Sequence, residues 1–504
     1  MIRVTRLLAL VVLAALADPA AAQPQPRSGG ELLFVVPAEP PSYDAHREDT
    51  FALIHPAAPH YSTLLRTDPA DKSGTRIIGD LAESWTISKD GRTYTLKLRH
   101  GVKFHDGSEM TSQDAKATYD KIINPPAGVA SIRKGEYIDV EAIQAPDPYT
   151  IVFRLKWPSG SFLSSLASPW NWIYRADLLA KDPRWYEKNV MGTGPFTFVE
   201  HVKGSHWVGK RNPSYWDKGK PYLDGYRAIF IRDSAAQVAA IRGERAMIQF
   251  RGFSPAERDT LVQALGNKVT AQDSPWDCAL WVVPNQRKKP FDDKRVRRAL
   301  TLAMDRYQGS QALSKIGIVK EVAGVIVPGT PFATPPGELE KLAGYGRDIQ
   351  KSRAEAKRLL KDAGLPDGFG FTLLNRGIPM PYEPIGVWLI DQWRQVGLNV
   401  KQEVAETSKY FADIRGGNFE VAVDFQCGYI VEPDLDLYKF QSKEVSQANY
   451  GGYTDRTLDE LYQRQSRSQD PEERKRLIRE FEKRMLDDEA HYLNQQLDTV
   501  WLAE

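Results

Sequence analysis

A mixed α/β fold is predicted for this chain, because apolar runs of strand length alternate with segments of helical periodicity and with turns built on Gly and Asp. At 504 residues and 42% hydrophobic it can bury a large core, and roughly 150 residues per domain gives about three units. Its formal charge of +2 is close to balance, so neither nucleic acid nor an anionic membrane is expected as partner.

The N-terminus comes first. Arg3 and Arg6, the apolar stretch 7–17 and the small residues Ala20-Ala21-Ala22 have the order of a secretory signal peptide, with cleavage expected after Ala22. Cleavage also removes Asp18, so the charge falls by only one. The apolar stretch is well short of the roughly 20 residues that span a bilayer. A soluble, exported, periplasmic protein is therefore expected. Export puts Cys278 and Cys427 where a disulfide persists. On spacing alone, a bond between them and two separate buried thiols are both open.

The segment Gly30-Glu31-Leu32-Leu33-Phe34-Val35-Val36, closed by Pro37, reads as a buried strand. Trp85 to Ser88 and Thr93 to Leu98 flank Lys89-Asp90-Gly91-Arg92, the pattern of a β-hairpin. Gly192-Thr193-Gly194-Pro195-Phe196 is a tight turn entering a strand at Phe196, since Pro195 lacks the N–H that a phosphate cradle would donate. Asp292 is placed to cap a helix whose Val296, Ala299, Leu300, Ala303 and Met304 share one face. Asp470-Pro471-Glu472-Glu473 starts another, with Leu477, Ile478, Phe481 and Met485 inward.

Catalytic patterns are missing from the sequence. It has no phosphate loop ending in Gly-Lys-Ser/Thr, no His-Glu-x-x-His and no Cys-x-x-Cys. Gly252-Phe253-Ser254-Pro255-Ala256 approaches a nucleophile elbow but lacks the second Gly, and Ser254-Pro255 fits a helix start better. His46, His55 and His60, like His201 and His206, do not have the spacing of metal ligands.

Several segments, in order, resemble the extracellular solute-binding proteins of the peptide and nickel class, the receptors of ABC importers. They are Leu81-Ala82-Glu83-Ser84-Trp85 with Asp90-Gly91 and Tyr94 to Arg99; Gly101 to Gly107 and Thr111 to Ala115; Gly192 to Phe196; Arg211 to Trp216; Pro290 to Leu300; and Gly397 to Val400. The set spans nearly the whole chain after the signal. The resemblance implies a two-lobed, Venus-flytrap fold with an α+β subdomain inserted in lobe one. Lobe one would comprise 27–60, 186–273 and 489–504, the insert 61–185 and lobe two 274–488. Hinges would lie near Asp273-Ser274-Pro275-Trp276 and Asp487-Asp488-Glu489. It further implies a monomer that binds a small-molecule solute, hands it to an inner-membrane ABC permease complex, and needs neither cofactor nor catalysis. A metal-chelate or nickel-type carrier on the same fold and a secreted hydrolase are the rival functions.

The resemblance also bears on the site. Cys278 and Cys427 stand where some members join the start of lobe two to the ligand-anchoring loop. In that loop the family's peptide binders have an aspartate for the peptide's ammonium group, and this chain has Tyr429, with Glu432-Pro433-Asp434 still in register. Free peptide N-termini are thus disfavoured, since a buried ammonium left unpaired costs several kcal/mol. Peptide-like solutes without that demand, opines and small glycosides are expected instead. The ligand-binding candidates are Tyr429, Asp424 and Asp434 around this loop; Asn375, Arg376 and Tyr382 after the strand at Phe371; Trp170 and Trp172, which alternate as on a strand; and Glu39 and Tyr43 beyond the first strand. Arg376 is singled out because its planar fork suits a carboxylate or phosphate.

Overall fold

The computed structural model describes residues 26–71, 75–316, 322–430 and 432–503. The expected signal peptide lies outside them. No helix among the described residues is long and apolar enough to cross a membrane.

Ten strands form one sheet, in the order Asn399–Ala405, Gly370–Arg376, Val421–Cys427, Thr270–Pro284, Leu493–Ala503, Ile248–Gln249, Glu31–Val36, Gly225–Phe230, His206–Arg211 and Phe196–Val202. Within it are two parallel groups. Gly370–Arg376 runs parallel to both of its neighbours, and Glu31–Val36 runs parallel to Gly225–Phe230 and Ile248–Gln249. Between the groups lie the long strands Thr270–Pro284 and Leu493–Ala503, paired antiparallel, with a register shift between Ser274 and Cys278.

The central strand explains its own sequence. Cys278, Leu280 and Val282 face one core with Val296, Leu300 and Trp393. The alternate residues Ala279, Trp281 and Val283 face a second core with Tyr410, Leu458 and Phe481. Both faces are covered, so the strand reads as a continuous apolar run rather than an alternation. The first strand is likewise covered on both sides: Phe34 and Val36 pack with Trp172, Trp207 and Tyr226, while Val35 meets Ile241 and Phe253.

A separate four-stranded sheet, Ala82–Ile87, Thr93–Leu98, Thr150–Leu155 and Val140–Asp147, packs its inner face on the helix Ser112–Ile123 through Leu96, Tyr119, Ile122 and Phe153. Its first two strands are the predicted hairpin. The helix carries a capping box from Thr111 and Asp114.

Two sequence expectations need correcting. The helix Lys294–Leu302 is capped by Asp293, whose side chain accepts from the Arg295 N–H, and not by Asp292. Residues 168–172 are irregular rather than a strand, because the Asn171 side chain binds the Ser165 carbonyl and the Tyr137 hydroxyl and turns the chain there. Ser254 does cap a helix, Pro255–Leu265, with Glu257 completing a capping box.

Cys278 and Cys427 face each other on neighbouring strands and are joined by a disulfide across 149 residues. Closing so long a loop restricts the unfolded chain, a contribution of about 3 to 5 kcal/mol in the chain-entropy account. Replacing both cysteines by serine is expected to lower stability by about that amount. Urea unfolding with intrinsic Trp fluorescence, compared with the oxidised wild type, measures it.

Candidate functional site

The carboxyl ends of parallel strands collect ligand sites because the loops that follow them splay apart at a change of strand order. Here four such loops converge. Arg376 is the last residue of Gly370–Arg376, and Cys427 the last of Val421–Cys427, with Gly428 and Tyr429 beyond it. On the other side of the crossing strands, Ile248–Gln249 leads to Arg251, and Glu31–Val36 leads through a loop to Asp49, Thr50 and the helix Phe51–Ala57. Together with Ile54, Pro169, Trp170, Pro381, Tyr382 and Phe425 they line a small cavity of about 80 Å³, partly open to solvent.

The two sides touch around this cavity. Thr50 caps the helix Phe51–Ala57 by accepting from the Ala52 N–H at 3.2 Å, and the same oxygen accepts from Arg376 Nη2 at 2.8 Å. Arg251 Nε donates to the Met380 carbonyl at 3.3 Å. Farther out, buried Glu48 pairs with Arg415, Ser161 donates to Asp434, and the Ser131 N–H donates to Gln447 at 3.0 Å. The lobes are thus closed on each other.

The electrostatics of the cavity are lopsided. Arg376 and Arg251 are 2% and 6% exposed, and among the described residues neither has a carboxylate within 4 Å. Arg376 is held by neutral groups: Nε donates to Thr407 at 3.0 Å, and its guanidinium lies 5.6 Å from the Tyr382 ring and 5.1 Å from Phe411. Arg251 lies 5.6 Å from the same Tyr382 ring. Burial, with Arg376 as a neighbouring cation, lowers its pKa to about 10. Asp49 is the sole acidic residue of the lining, and Arg133 sits 3.4 Å from it.

Of the residues expected from sequence, Tyr429, Arg376, Tyr382 and Trp170 line the cavity. Tyr429 is half-buried with its hydroxyl oxygen inward, and burial and the nearby Glu136 carboxyl raise its pKa. Trp170 forms the wall opposite, with the Arg133 guanidinium 4.7 Å from its ring. Asn375 lies behind the wall, donating to the Tyr382 carbonyl at 2.6 Å and accepting from the Arg376 N–H at 2.9 Å.

The other candidates do not line the cavity. Asp424 is buried and paired with Lys439. Asp434 is buried among Ser161, Gln465, Ser466 and Arg474, four donors that fully occupy its oxygens. Trp172 stacks on Tyr61 at 4.3 Å in the core. Glu39 and Tyr43 bind the two ring nitrogens of His201, at 3.0 and 2.7 Å, beside a separate outer depression. The lip of the cavity comes one turn of chain later, at residues 49–54. Asp49, Thr50, Phe51, Ile54 and Arg251 are the residues that sequence reading did not select. For Arg251 a local signal existed, a lone cation within Phe250-Arg251-Gly252-Phe253, but the two-residue strand before it is too short to show alternation.

The histidines serve the fold. His46 contacts the Trp172 carbonyl at 3.1 Å, and His60 contacts the Phe196 carbonyl at 2.8 Å and the Trp207 indole. Burial lowers both, and His55, to about 3.

Asp139 is buried with Oδ1 lacking a hydrogen-bond partner, Ser159 bonded to the carboxyl and Asp434 and Lys156 near. Burial raises its pKa to about 7. Below about pH 4 the group is protonated folded and unfolded alike; between about 4 and 7 only the unfolded chain releases its proton, so stability falls as pH rises through that window. Asp139→Asn, which cannot ionise, should leave the thermal midpoint unchanged at pH 4 and raise stability at pH 8 by about 1 to 2 kcal/mol. Calorimetry at both pH values checks it.

Comparison with known proteins gives a consistent result. The family profile described as "Bacterial extracellular solute-binding proteins, family 5 Middle" matches residues 76–447. The glutathione-binding protein GsiB of Salmonella typhi is 29% identical over 411 residues, covering 79% of this chain and 77% of GsiB. Among solved structures, the periplasmic binding protein DppA of Helicobacter pylori, in complex with the peptide STSA, superposes with a TM-score of 0.80 at 27% identity, over 95% of this chain and 94% of DppA. AgaA from A.tumefacien R10, in complex with agropinic acid, has a TM-score of 0.83 at 24% identity, over 94% and 93% of the two chains.

Proposed function

This chain belongs to the bacterial extracellular solute-binding proteins of family 5, and from that premise we propose that its solute is a small organic acid, gripped through a carboxylate by Arg376. The class-level activity is that of the family: capture of a peptide-like or other polar solute between two lobes, for delivery to an ABC permease. Binding without chemistry, by a periplasmic monomer, completes the reading.

One observation carries the carboxylate. Arg376 is a buried cation whose partners are all neutral, two threonine hydroxyls and two ring faces, in the wall of the interlobe cavity. Removing such a charge from water is expensive unless an anion completes the site. A planar guanidinium with one edge engaged leaves a fork suited to a carboxylate. Among the ligands of relatives, glutathione for GsiB and a peptide for DppA are consistent with a solute of this kind.

A free amino terminus has no corresponding receptor. Tyr429 carries no charge, and Asp49 is already neutralised by Arg133. N-acylated or N-alkylated amino acids and peptides, opine-type conjugates included, fit better than simple dipeptides. Binding favours closure by the solute's differential affinity for the closed state. We assign the hinge to residues 273–276 and 487–489; the register shift between Ser274 and Cys278 supports the first of these.

Native mass spectrometry of gently purified protein, followed by thermal shifts, tests the reading. The co-purified solute should carry a carboxylate, and Arg376→Met should weaken its binding by ~30-fold or more, the ~2 kcal/mol or more lost when one member of a buried charge pair is truncated. A neutral solute, or tight binding of di- and tripeptides that N-acetylation abolishes, refutes it.

A further inference from the structure

Arg376 is one of two buried arginines that line the cavity. Arg251 remains, and its position is not that of an ordinary structural cation. It lies across the crossing strands from Arg376, on the segment after Ile248–Gln249, and it lines the same cavity. The two guanidiniums sit on one ring, each 5.6 Å from the centre of Tyr382, so they are no more than about 11 Å apart.

The charges that face this pair do not cancel it. Asp49 is matched by Arg133, and Glu136 also lies 3.4 Å from Arg133, with burial raising that carboxyl to about 7. Glu48 is matched by Arg415. His55, beside Arg251, is held neutral by burial. Lys439 is spent on Asp424. Two positive charges are left, one on each side of the closure.

Resting on the reading of Arg376 as a carboxylate receptor, we propose that Arg251 is a second anion-binding residue, that the solute carries two acidic groups, and that bridging the two arginines is what holds the lobes closed. In the empty protein the same pair opposes closure, because closing brings two like charges into one desolvated space. A dianion reverses the sign of that term. It supplies the differential affinity for the closed state without which no ligand shifts the equilibrium. The aromatic walls, Phe51, Trp170, Tyr382, Phe425 and Tyr429, suit a flat or apolar body between the acidic ends.

The alternative role for Arg251 is to brace the 377–381 loop through the Met380 carbonyl. That role predicts a less stable empty protein and no change in its resting shape. The charge role predicts a change in shape.

Two measurements on the full mature chain decide. First, protein stripped of solute by unfolding and refolding is compared by small-angle X-ray scattering as wild type, Arg251→Met and Arg251→Lys. Wild type and the Lys variant should be open, and the Met variant should show a several-fold larger closed fraction. A closed wild type, or a Met variant with the wild-type shape, overturns the proposal. Second, the solute that elutes on unfolding is identified by mass spectrometry and titrated back. Two acidic groups, with binding at least 30-fold weaker to Arg251→Met and partly restored in Arg251→Lys, is the expected result. A solute with one acidic group, sensitive to Arg376→Met and indifferent to Arg251→Met, overturns the pair and leaves the carboxylate reading standing. A neutral solute overturns both. If none elutes, the scattering comparison decides alone.

Discussion

The antiparallel pairing of Thr270–Pro284 with Leu493–Ala503 is the constraint on which the rest of the molecule depends. Each side of the sheet is a parallel group that would by itself place loops at its own carboxyl edge. Joining the groups through two long strands makes those edges face each other. Arg376 and Cys427 then approach from one side, Thr50 and Arg251 from the other. A cavity between lobes is thus a consequence of strand order. The same pairing joins the two parts of the sheet, and its register shifts between Ser274 and Cys278. The disulfide lies at that end of the ladder, tying Cys278 to the strand that ends at the cavity wall. It keeps the start of Gly428-Tyr429 attached to the central strand.

Charge burial is organised around the same closure. Acidic residues that approach from one side meet cations or hydroxyls from the other: Glu48 meets Arg415, and Asp434 meets Ser161. These contacts satisfy groups that are otherwise costly to bury. Arg133 neutralises Asp49, stacks on Trp170, donates to the Glu48 carbonyl at 3.0 Å and reaches the Tyr438 hydroxyl at 3.5 Å. By this means one side chain turns the acidic rim of the cavity neutral and sets the position of an aromatic wall.

Much of this architecture was legible in the chain. The hairpin at Thr93–Leu98, the capped helix at Pro471–Lys483 and the strand Glu31–Val36 follow from turn chemistry, capping and apolar runs, all local signals. So does the position of Tyr429, because its neighbours Glu432-Pro433-Asp434 hold the register. The candidates that lie away from the cavity share a physical reason. Asp424, Asp434 and Trp172 are polar or aromatic residues near site loops, and whether such a residue faces a cavity or a partner depends on what another lobe or helix brings. Lys439 and Arg474 are 15 and 40 residues away along the chain, and nothing in the local sequence announces them. Glu39 and Tyr43 were off by one loop, because the chain spends residues 38–48 binding His201 and the insert before it reaches the cavity. Arg251 was missed because the strand that aims it has two residues.

The pairing of each buried arginine with aromatic faces explains how the cavity wall tolerates them. A guanidinium is weakly hydrated and its planar faces accept ring contact, so Tyr382, shared by both, and Phe411, beside Arg376, offset part of the desolvation cost. Neutral hydroxyls and a carbonyl take some of their donors. A carboxylate in place of these partners would hold the arginines more firmly and would also fill the site permanently. Weak, neutral support leaves the remaining donors unspent, and the free energy of completing them becomes available to whatever anion arrives. On this argument the cavity is selective for the same reason that it is incompletely stabilised, and substitutions that add an acid to its lining should make a more stable protein and a poorer receptor.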